Sequence, residues 1–252
     1  MLLNCHVGCI GFRCAIRFLR GENTDAGRLA GGNWGVGRPS EANGMSVETD
    51  YYNLNGKNVK HVEDGKNDKK LVLTDSKKEE KVNAAIDAGA VINVPSNEVV
   101  SKMEEAYDKT EKSGNEHGFV VGRKGESSKM VEGEKGKITS KEWAAALDEI
   151  VGQGDLKSYD VHTHPNTTET DGKVGTPTPS VEDMAHASST HPDAVLGYHQ
   201  TPIPPPSNQI GGSGTVLTER HIGFFNSSGS LTPINGIRFD SFKSTVKKIN
   251  KQ

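Results

Sequence analysis

The amino-acid sequence predicts an α+β fold, a mixed α/β arrangement in which helices pack on a sheet. Short β-prone runs and segments of helical periodicity intermix without a regular βαβ repeat, and glycine-rich turns separate them. The 252 residues are only 33% hydrophobic, with 29 glycines and 11 prolines, and the mean hydropathy is −0.61. This composition favours one compact domain of roughly 130–150 residues with poorly packed flanks.

Charge and hydropathy exclude two classes of partner. The formal charge is −3 and the pI is near 6.3, which argues against non-specific electrostatic binding of nucleic acid. No stretch approaches the roughly 18–20 apolar residues that span a bilayer. The chain start lacks a basic region and an apolar core, so we expect no signal peptide.

The N-terminal residues 1–50 are predicted to be irregular. They are rich in Gly, Arg and Asn without a sustained period, and they hold the three cysteines, Cys5, Cys9 and Cys14, beside His6. A zinc knuckle is one interpretation, but the C-x3-C-x4-C spacing matches no common framework and favours incidental thiols.

Residues 51–94 are predicted to form a second segment of two or three short strands. Asn55-Gly56 and Asp64-Gly65 lie between short apolar or β-prone runs, which is a hairpin signal. The main domain is then predicted to cover residues 95–240.

The main domain opens with a helix that Ser96 or Asn97 caps and that runs to about Lys112, where Ser113-Gly114-Asn115 stops it. Its apolar residues recur at i, i+3 and i+4: Val99, Val100, Met103, Ala106 and Tyr107. A buried strand is predicted at 116–123, and another strand at 128–131.

A second helix is predicted from a cap at Thr139 or Ser140 to Gly152, followed by a strand at 159–164. The residues expected to point inward from this helix are Trp143, Ala144, Leu147 and Ile150.

The rest of the domain is predicted as a loop or substrate flap at 166–175, a helix that begins at Ser180, and two strands. The strands are expected at 194–198 and at either 216–217 or 222–226. The proline-rich residues 202–207 between them should be extended, exposed and mobile.

His162 and His164 carry the strongest functional signal. Side chains alternate along a strand, so two histidines at i and i+2 point to the same side and can provide two metal ligands. Taken alone, His-x-His-Pro is as typical of a strand end followed by a turn as it is of a metal site. Ser180 with Asp183 is likewise as typical of a helix capping box as of a functional site.

Taken together, these residues follow a known order. Glu116 opens a strand, His162-Thr163-His164-Pro165 follows, and Ser180 and Asp183 come after Thr176-Pro177-Thr178-Pro179. This order resembles the JAB/JAMM (MPN) metallopeptidase superfamily, with the signature Glu…His-x-His-Pro…Ser-x-x-Asp, and its RadC-type branch. The resemblance covers about residues 95–230 and implies a JAB/MPN-like, cytidine-deaminase-like sheet with flanking helices.

The resemblance implies a role for each matched residue. His162, His164 and Asp183 would bind Zn²⁺, Glu116 would be the general base, and Ser180 would donate a hydrogen bond to the oxyanion. Two departures leave alternatives open. The gap after Pro165 is longer than in the compact family form, and Glu116 stands one residue closer to the following glycine than in many members. Glu111 is therefore the rival base, and the rival third ligands are His186, His191 and His199.

Residues 51–74 also resemble the segments that precede the C-terminal toxin domains of Rhs and related bacterial polymorphic toxins. This second resemblance implies a JAB-like toxin domain, delivered into the target-cell cytoplasm, with a protein or peptide substrate and a possible cognate immunity protein. The expected activity is that of a zinc metallopeptidase or isopeptidase. The alternatives are a JAB-fold binding module without hydrolysis and another metal-dependent hydrolase.

Overall fold

Two β-sheets form the framework of the protein in the computed structural model. The structure describes residues 47–134, 136–166, 175–189, 191–202 and 216–252. The three cysteines, most of segment 1–50, most of the predicted loop 166–175 and the proline-rich residues 203–207 lie outside these ranges. The mixed sheets and helices agree with the predicted α+β class.

The first sheet has four strands in the order β2-β1-β3-β4. Strand β1 runs antiparallel to β2 and parallel to β3, which is antiparallel to β4, and helix α1 connects β3 to β4. The bounds are β1 Glu48–Tyr52, β2 Asn58–Glu63, β3 Lys69–Val72, α1 Glu79–Asp87 and β4 Val91–Asn93. Strand β1 thus begins before the predicted segment boundary at residue 51.

Helix α2, Asn97–Ser113, follows with the predicted signals at both ends. The Ser96 hydroxyl accepts a hydrogen bond from the Val99 N–H at 3.2 Å, and Gly114 adopts a left-handed φ of 76°. A serine cap and a left-handed glycine complete the hydrogen bonding of a helix. The apolar face buries every residue that the periodicity predicted to point inward.

The second sheet has seven strands and carries the histidine pair. Its order is β10-β9-β8-β7-β5-β6, with β11 paired to β9. The bounds are β5 His117–Gly122, β6 Val131–Glu132, β7 Lys157–Thr163, β8 Asp193–Pro202, β9 Val216–Asn226, β10 Gly229–Ser230 and β11 Ile237–Arg238. Strand β7 is antiparallel to β5 and parallel to β8. The two alternatives for the last predicted strand, 216–217 and 222–226, both fall within β9.

The second sheet has helices on both faces. Helices α2 and α5, Phe239–Ile249, cover one face and share a single buried apolar cluster with it and with the first sheet. Helix α3, Ser140–Gly152, packs on the other face through Ala146 and Ile150. The histidines lie on this second face, next to α3.

The prediction that Ala144 and Leu147 point into the core is wrong. Ala144 is exposed and Leu147 keeps 38% of its surface exposed, while Trp143 is half-buried. Helix α3 is capped by Thr139 as predicted, but it is turned so that Ala146 is buried in their place. The apolar residues left uncovered line a cavity beside the histidines.

Candidate metal centre

Strand β7 directs two imidazoles toward one carboxylate. His162 lies on the strand and is buried, and His164 follows its end. The Nε2 atom of His162 is 3.4 Å from Asp183 Oδ1, and the Nε2 atom of His164 is 3.5 Å from Asp183 Oδ2. The two rings are 5.2 Å apart between centroids. The three residues that the sequence selected as metal ligands therefore meet at one place.

Helix α4, Val181–His186, brings the carboxylate to this place. The Ser180 hydroxyl accepts a hydrogen bond from the Asp183 N–H at 3.0 Å, and Asp183 Oδ2 accepts one from the Ser180 N–H at 2.7 Å. This reciprocal capping box fixes the Asp183 side chain at the helix start. The serine O–H hydrogen is not used by these two bonds, so the hydroxyl can still donate.

The donor set fits a divalent metal ion. One ligand atom each from His162, His164 and Asp183 can be chosen so that all three lie within 4.8 Å of one another. Among the described residues, the buried Nε2 atom of His162 has no hydrogen-bond partner. Two imidazole nitrogens and one carboxylate oxygen are common ligands of divalent metal ions in proteins, and three ligands leave a further coordination position open.

A main-chain carbonyl orients the imidazole of His164. Its Nδ1 atom is 2.8 Å from the Thr176 carbonyl oxygen. Because a carbonyl oxygen can only accept a hydrogen bond, Nδ1 is the donor of this bond, and Nε2 is the ring atom that faces Asp183. This arrangement is common for metal-binding histidines, whose second nitrogen is held by a carbonyl or carboxylate.

The segment that supplies this carbonyl lies directly on two glycines of the second sheet. A Cβ atom on Gly197 would be 2.3 Å from the Thr176 carbonyl carbon, and one on Gly223 would be 1.8 Å from the Pro177 oxygen. The segment is also bonded to β8, since the Tyr198 N–H donates to the Gly175 carbonyl at 2.7 Å. Glycine inside a strand often marks such a close approach, a signal that the sequence analysis did not use.

The charges at this place stabilise one another. Burial alone would raise the pKa of Asp183, but the two imidazoles and the Ser180 N–H hold it well below its usual range. Burial would lower the pKa of His162, but Asp183 and Glu116 raise it instead. The carboxylate is thus ionised and available as a ligand.

Glu116 lies immediately before β5 and lines the same cavity. It is buried, with 8% of its surface exposed. Burial raises the pKa of Glu116, and the negative charge of Asp183 raises it further, while the two imidazoles lower it by a smaller amount. The neighbouring Gly118 pairs with His162 across the strands, so the carboxyl group enters the site from the adjacent strand. A buried carboxyl with a raised pKa beside possible metal ligands is a candidate for accepting and returning a proton.

The residues that the sequence offered as an alternative base or an alternative third ligand lie outside the three-ligand group. Glu111 accepts hydrogen bonds from Arg220 at 2.8 and 2.6 Å and does not line the cavity. His199 stacks near His221 with ring centroids 5.3 Å apart. His186 is exposed at the cavity mouth, and His191 is exposed outside the three-ligand group.

The cavity has a volume of about 1100 Å³ and opens to solvent. On one side it reaches the two histidines, Asp183 and Glu116, and on the other it reaches the apolar residues of α3. It also extends to a group of charged residues on β7 and β8 that the sequence analysis did not single out, namely Lys157, Asp160 and Asp193.

A second group of possible ligands lies on the first sheet. His61 Nδ1 is 2.5 Å from Asp50 Oδ1 and 3.6 Å from Glu48 Oε1. The His61 side chain is 57% exposed, and its contacts are those of a surface ion pair.

Within the described ranges, no helix is both long and apolar enough to cross a membrane. The chain matches no protein-family model, no curated protein and no solved structure.

Proposed function

We propose that the domain is a zinc-dependent amide hydrolase, a metallopeptidase or isopeptidase of the JAMM type. The observation that carries the proposal is the meeting of His162, His164 and Asp183 in a cavity that also holds the buried carboxyl of Glu116. A pure binding module has no need for an ionised ligand set beside a carboxyl of raised pKa.

His162, His164 and Asp183 would hold the zinc ion, which when bound would acidify a water molecule and polarise the substrate carbonyl. Glu116 then accepts the proton of the attacking water and delivers it to the leaving amine, as its raised pKa favours. The Ser180 hydroxyl, whose hydrogen the capping box leaves free, donates to the carbonyl oxygen as negative charge develops there.

Metal analysis of the purified protein tests the ligand set. We expect about one zinc per chain in the wild type. His162→Ala should lose it, whereas His61→Ala and His199→Ala, which change the surface cluster and a rival ligand, should keep it. A wild type that binds no divalent metal, even after incubation with zinc, would favour the non-hydrolytic binding module and end the peptidase proposal.

Thermal unfolding gives a second measure that is independent of activity. Zinc at 100 times its dissociation constant should stabilise the wild type by about 2.7 kcal/mol, and a chelator should remove this gain. His162→Ala should show no zinc-dependent shift.

Hydrolysis of peptide and isopeptide substrates distinguishes this proposal from another metal-dependent hydrolase. Zinc-loaded wild type should cleave an amide bond, while nucleic acid and small amides should remain intact. The reverse pattern would assign a different hydrolase to the same metal centre.

We further propose that the domain is the effector of a polymorphic toxin and that a cognate immunity protein blocks it. This part is supported by the resemblance of residues 51–74 to toxin-linker segments. Production inside a bacterial cell should arrest growth with the wild type and not with Glu116→Gln. Equal growth with both proteins at equal abundance would contradict a toxin role.

A further inference from the structure

The cavity of the proposed metal centre ends in a second group of charged side chains. Asp160 and His162 are two residues apart on β7, so both face the cavity, roughly 7 Å apart along the strand. Asp193 lies beside them at the start of β8, and Lys157 at the start of β7. None of these three residues belongs to the ligand set or the proposed proton transfer.

This group carries a net negative charge. The Lys157 ammonium donates to Asp160 Oδ2 and is 3.5 Å from Asp193 Oδ1. Asp193 Oδ1 also accepts a hydrogen bond from the Asp160 N–H at 2.8 Å. Two carboxylates therefore share one ammonium, which leaves one negative charge at this end of the cavity.

The hydrogen bonding of the group is incomplete. Asp160 Oδ1 has no hydrogen-bond partner in the described structure, although 22% of the side chain remains exposed. A buried polar atom without a partner is unfavourable, so this carboxylate retains the capacity to accept a further hydrogen bond.

The wall that leads to this group is apolar. Val120 lies next to Asp160 across the strands, and α3 contributes the side chains that were wrongly expected in the core. The residues of the wall are Val120, Ile138, Trp143, Ala144 and Leu147. Ala144 and Leu147 are exposed, Trp143 is half-buried, and Val120 and Ile138 lie buried behind them. Apolar side chains that border a cavity offer a surface for an aliphatic stem.

We propose that this end of the cavity binds a basic side chain, lysine or arginine, of a peptide substrate next to the bond that is cut. The aliphatic stem packs on the α3 wall, and the cationic end donates hydrogen bonds to the Asp160 and Asp193 carboxylates. This proposal rests on the proposed function, because it names the substrate class of the same site.

Binding can be measured without turnover in zinc-loaded Glu116→Gln. The probes are N-acetyl methylamides of arginine, lysine and norleucine, the last being an uncharged analogue of lysine, titrated by calorimetry at pH 8. We expect at least about tenfold tighter binding of the basic probes, the effect of one well-placed charged hydrogen bond. Norleucine binding as tight as lysine binding would overturn the proposal.

Two substitutions should change this preference in opposite directions. Asp160→Asn removes the excess negative charge and should reduce the lysine-to-norleucine ratio toward one. Lys157→Met keeps the stem but removes the competing cation, and should raise the ratio. Asp148→Asn makes the same charge change as Asp160→Asn at an exposed position of α3 outside the cavity and should leave the ratio unchanged. An unchanged ratio in both folded cavity variants contradicts the proposal, and if Asp160→Asn fails to fold, the Lys157→Met result decides.

Cleavage of a peptide library by the zinc-loaded wild type separates this inference from the proposed function. Cleavage beside basic residues supports both, and cleavage without preference for them overturns the inference alone. If no peptide is cleaved but the basic probes bind tightly, the proposed hydrolase function is wrong and the inferred binding site for a basic side chain is supported.

Discussion

The Thr176 carbonyl oxygen accepts a hydrogen bond from His164 Nδ1 at 2.8 Å, and this bond couples a loop to a candidate metal ligand. The loop can lie this close to the strands beneath it because residues 197 and 223 are glycines. The orientation of the imidazole thus depends on two residues that have no functional group of their own.

Gly223→Ala should weaken metal binding. Its Cβ would be 1.8 Å from the Pro177 oxygen, so the loop must move away and carry the Thr176 carbonyl with it. Loss of such a supporting bond typically lowers metal affinity by about 10–100-fold. Zinc competition with a chromophoric chelator measures the affinity, with Gly152→Ala as control, because a Cβ there meets nothing within 4 Å. Unchanged affinity in folded Gly223→Ala would show that the loop does not orient His164.

Glu116→Gln should keep zinc and lose hydrolysis. The substitution preserves shape but removes the group that accepts a proton, so kcat should fall by roughly 10²–10⁴-fold. Glu111→Gln is the matched control, because it weakens the ion pair with Arg220 far from the cavity. It should affect thermal stability more than turnover. Full activity in Glu116→Gln with loss in Glu111→Gln would reverse the assignment of the base.

Ser180→Gly should separate the structural and the catalytic role of this serine. Glycine at an N-cap position costs only a few tenths of a kcal/mol relative to serine, so the melting temperature and zinc content should change little. The hydroxyl donor is lost, and kcat should fall by roughly 10²–10³-fold, the usual effect of removing one oxyanion donor. Ser180→Ala, which loses both roles, should also be less stable by about 1 kcal/mol. Wild-type kcat in a stable Ser180→Gly protein would mean that Ser180 acts only as a helix cap.

Asp155 should make the stability of the fold depend on pH in acid solution. Burial alone would raise its pKa, but main-chain hydrogen bonds, such as those from Lys124 at 2.9 Å and Leu156 at 2.7 Å, hold it below its ordinary value. A carboxyl with a lower pKa in the folded state stabilises the fold above its unfolded pKa of about 3.9, and this contribution disappears as the pH falls below that value. Asp155→Asn should therefore cost about 1 kcal/mol at pH 7, and this cost should shrink as the pH falls below about 3.9.

Guanidinium unfolding of the metal-free proteins between pH 2 and pH 7 measures this difference. The gap between wild type and Asp155→Asn should close as the pH falls. A gap of constant size would mean that Asp155 contributes through packing over Gly122, where a Cβ would be 2.1 Å from its Oδ2, and not through its charge.

Local signals account for the parts of the fold that the sequence predicts. Ser96 and Gly114 bound α2, Thr139 begins α3, and Ser180 with Asp183 forms the capping box of α4. Each of these signals acts within a few residues, so each can be recognised without knowledge of the tertiary structure.

Features that depend on distant residues were not predicted. The parallel pairing of β1 with β3 and the sharing of a core by both sheets follow from contacts between remote segments. The α3 side chains that point into the core were predicted wrongly for a similar reason. Periodicity identifies an apolar stripe along a helix, but it does not tell which part of that stripe the rest of the fold covers. Helices α1 and α5 were missed, although Phe239, Phe242, Val246 and Ile249 follow helical spacing.

The close packing of α5 against the first sheet affects how the chain can fold as it is synthesised. The Thr245 hydroxyl donates to the Leu54 carbonyl at 2.7 Å across 191 positions of sequence, and Lys69 donates to the Ile249 carbonyl at 3.2 Å. All residues of the candidate metal centre leave the ribosome before α5, yet the core beneath their sheet is complete only when that helix has packed on it. A nascent chain should therefore become resistant to protease after α5 has emerged, and not already when the histidines of the candidate metal centre have emerged.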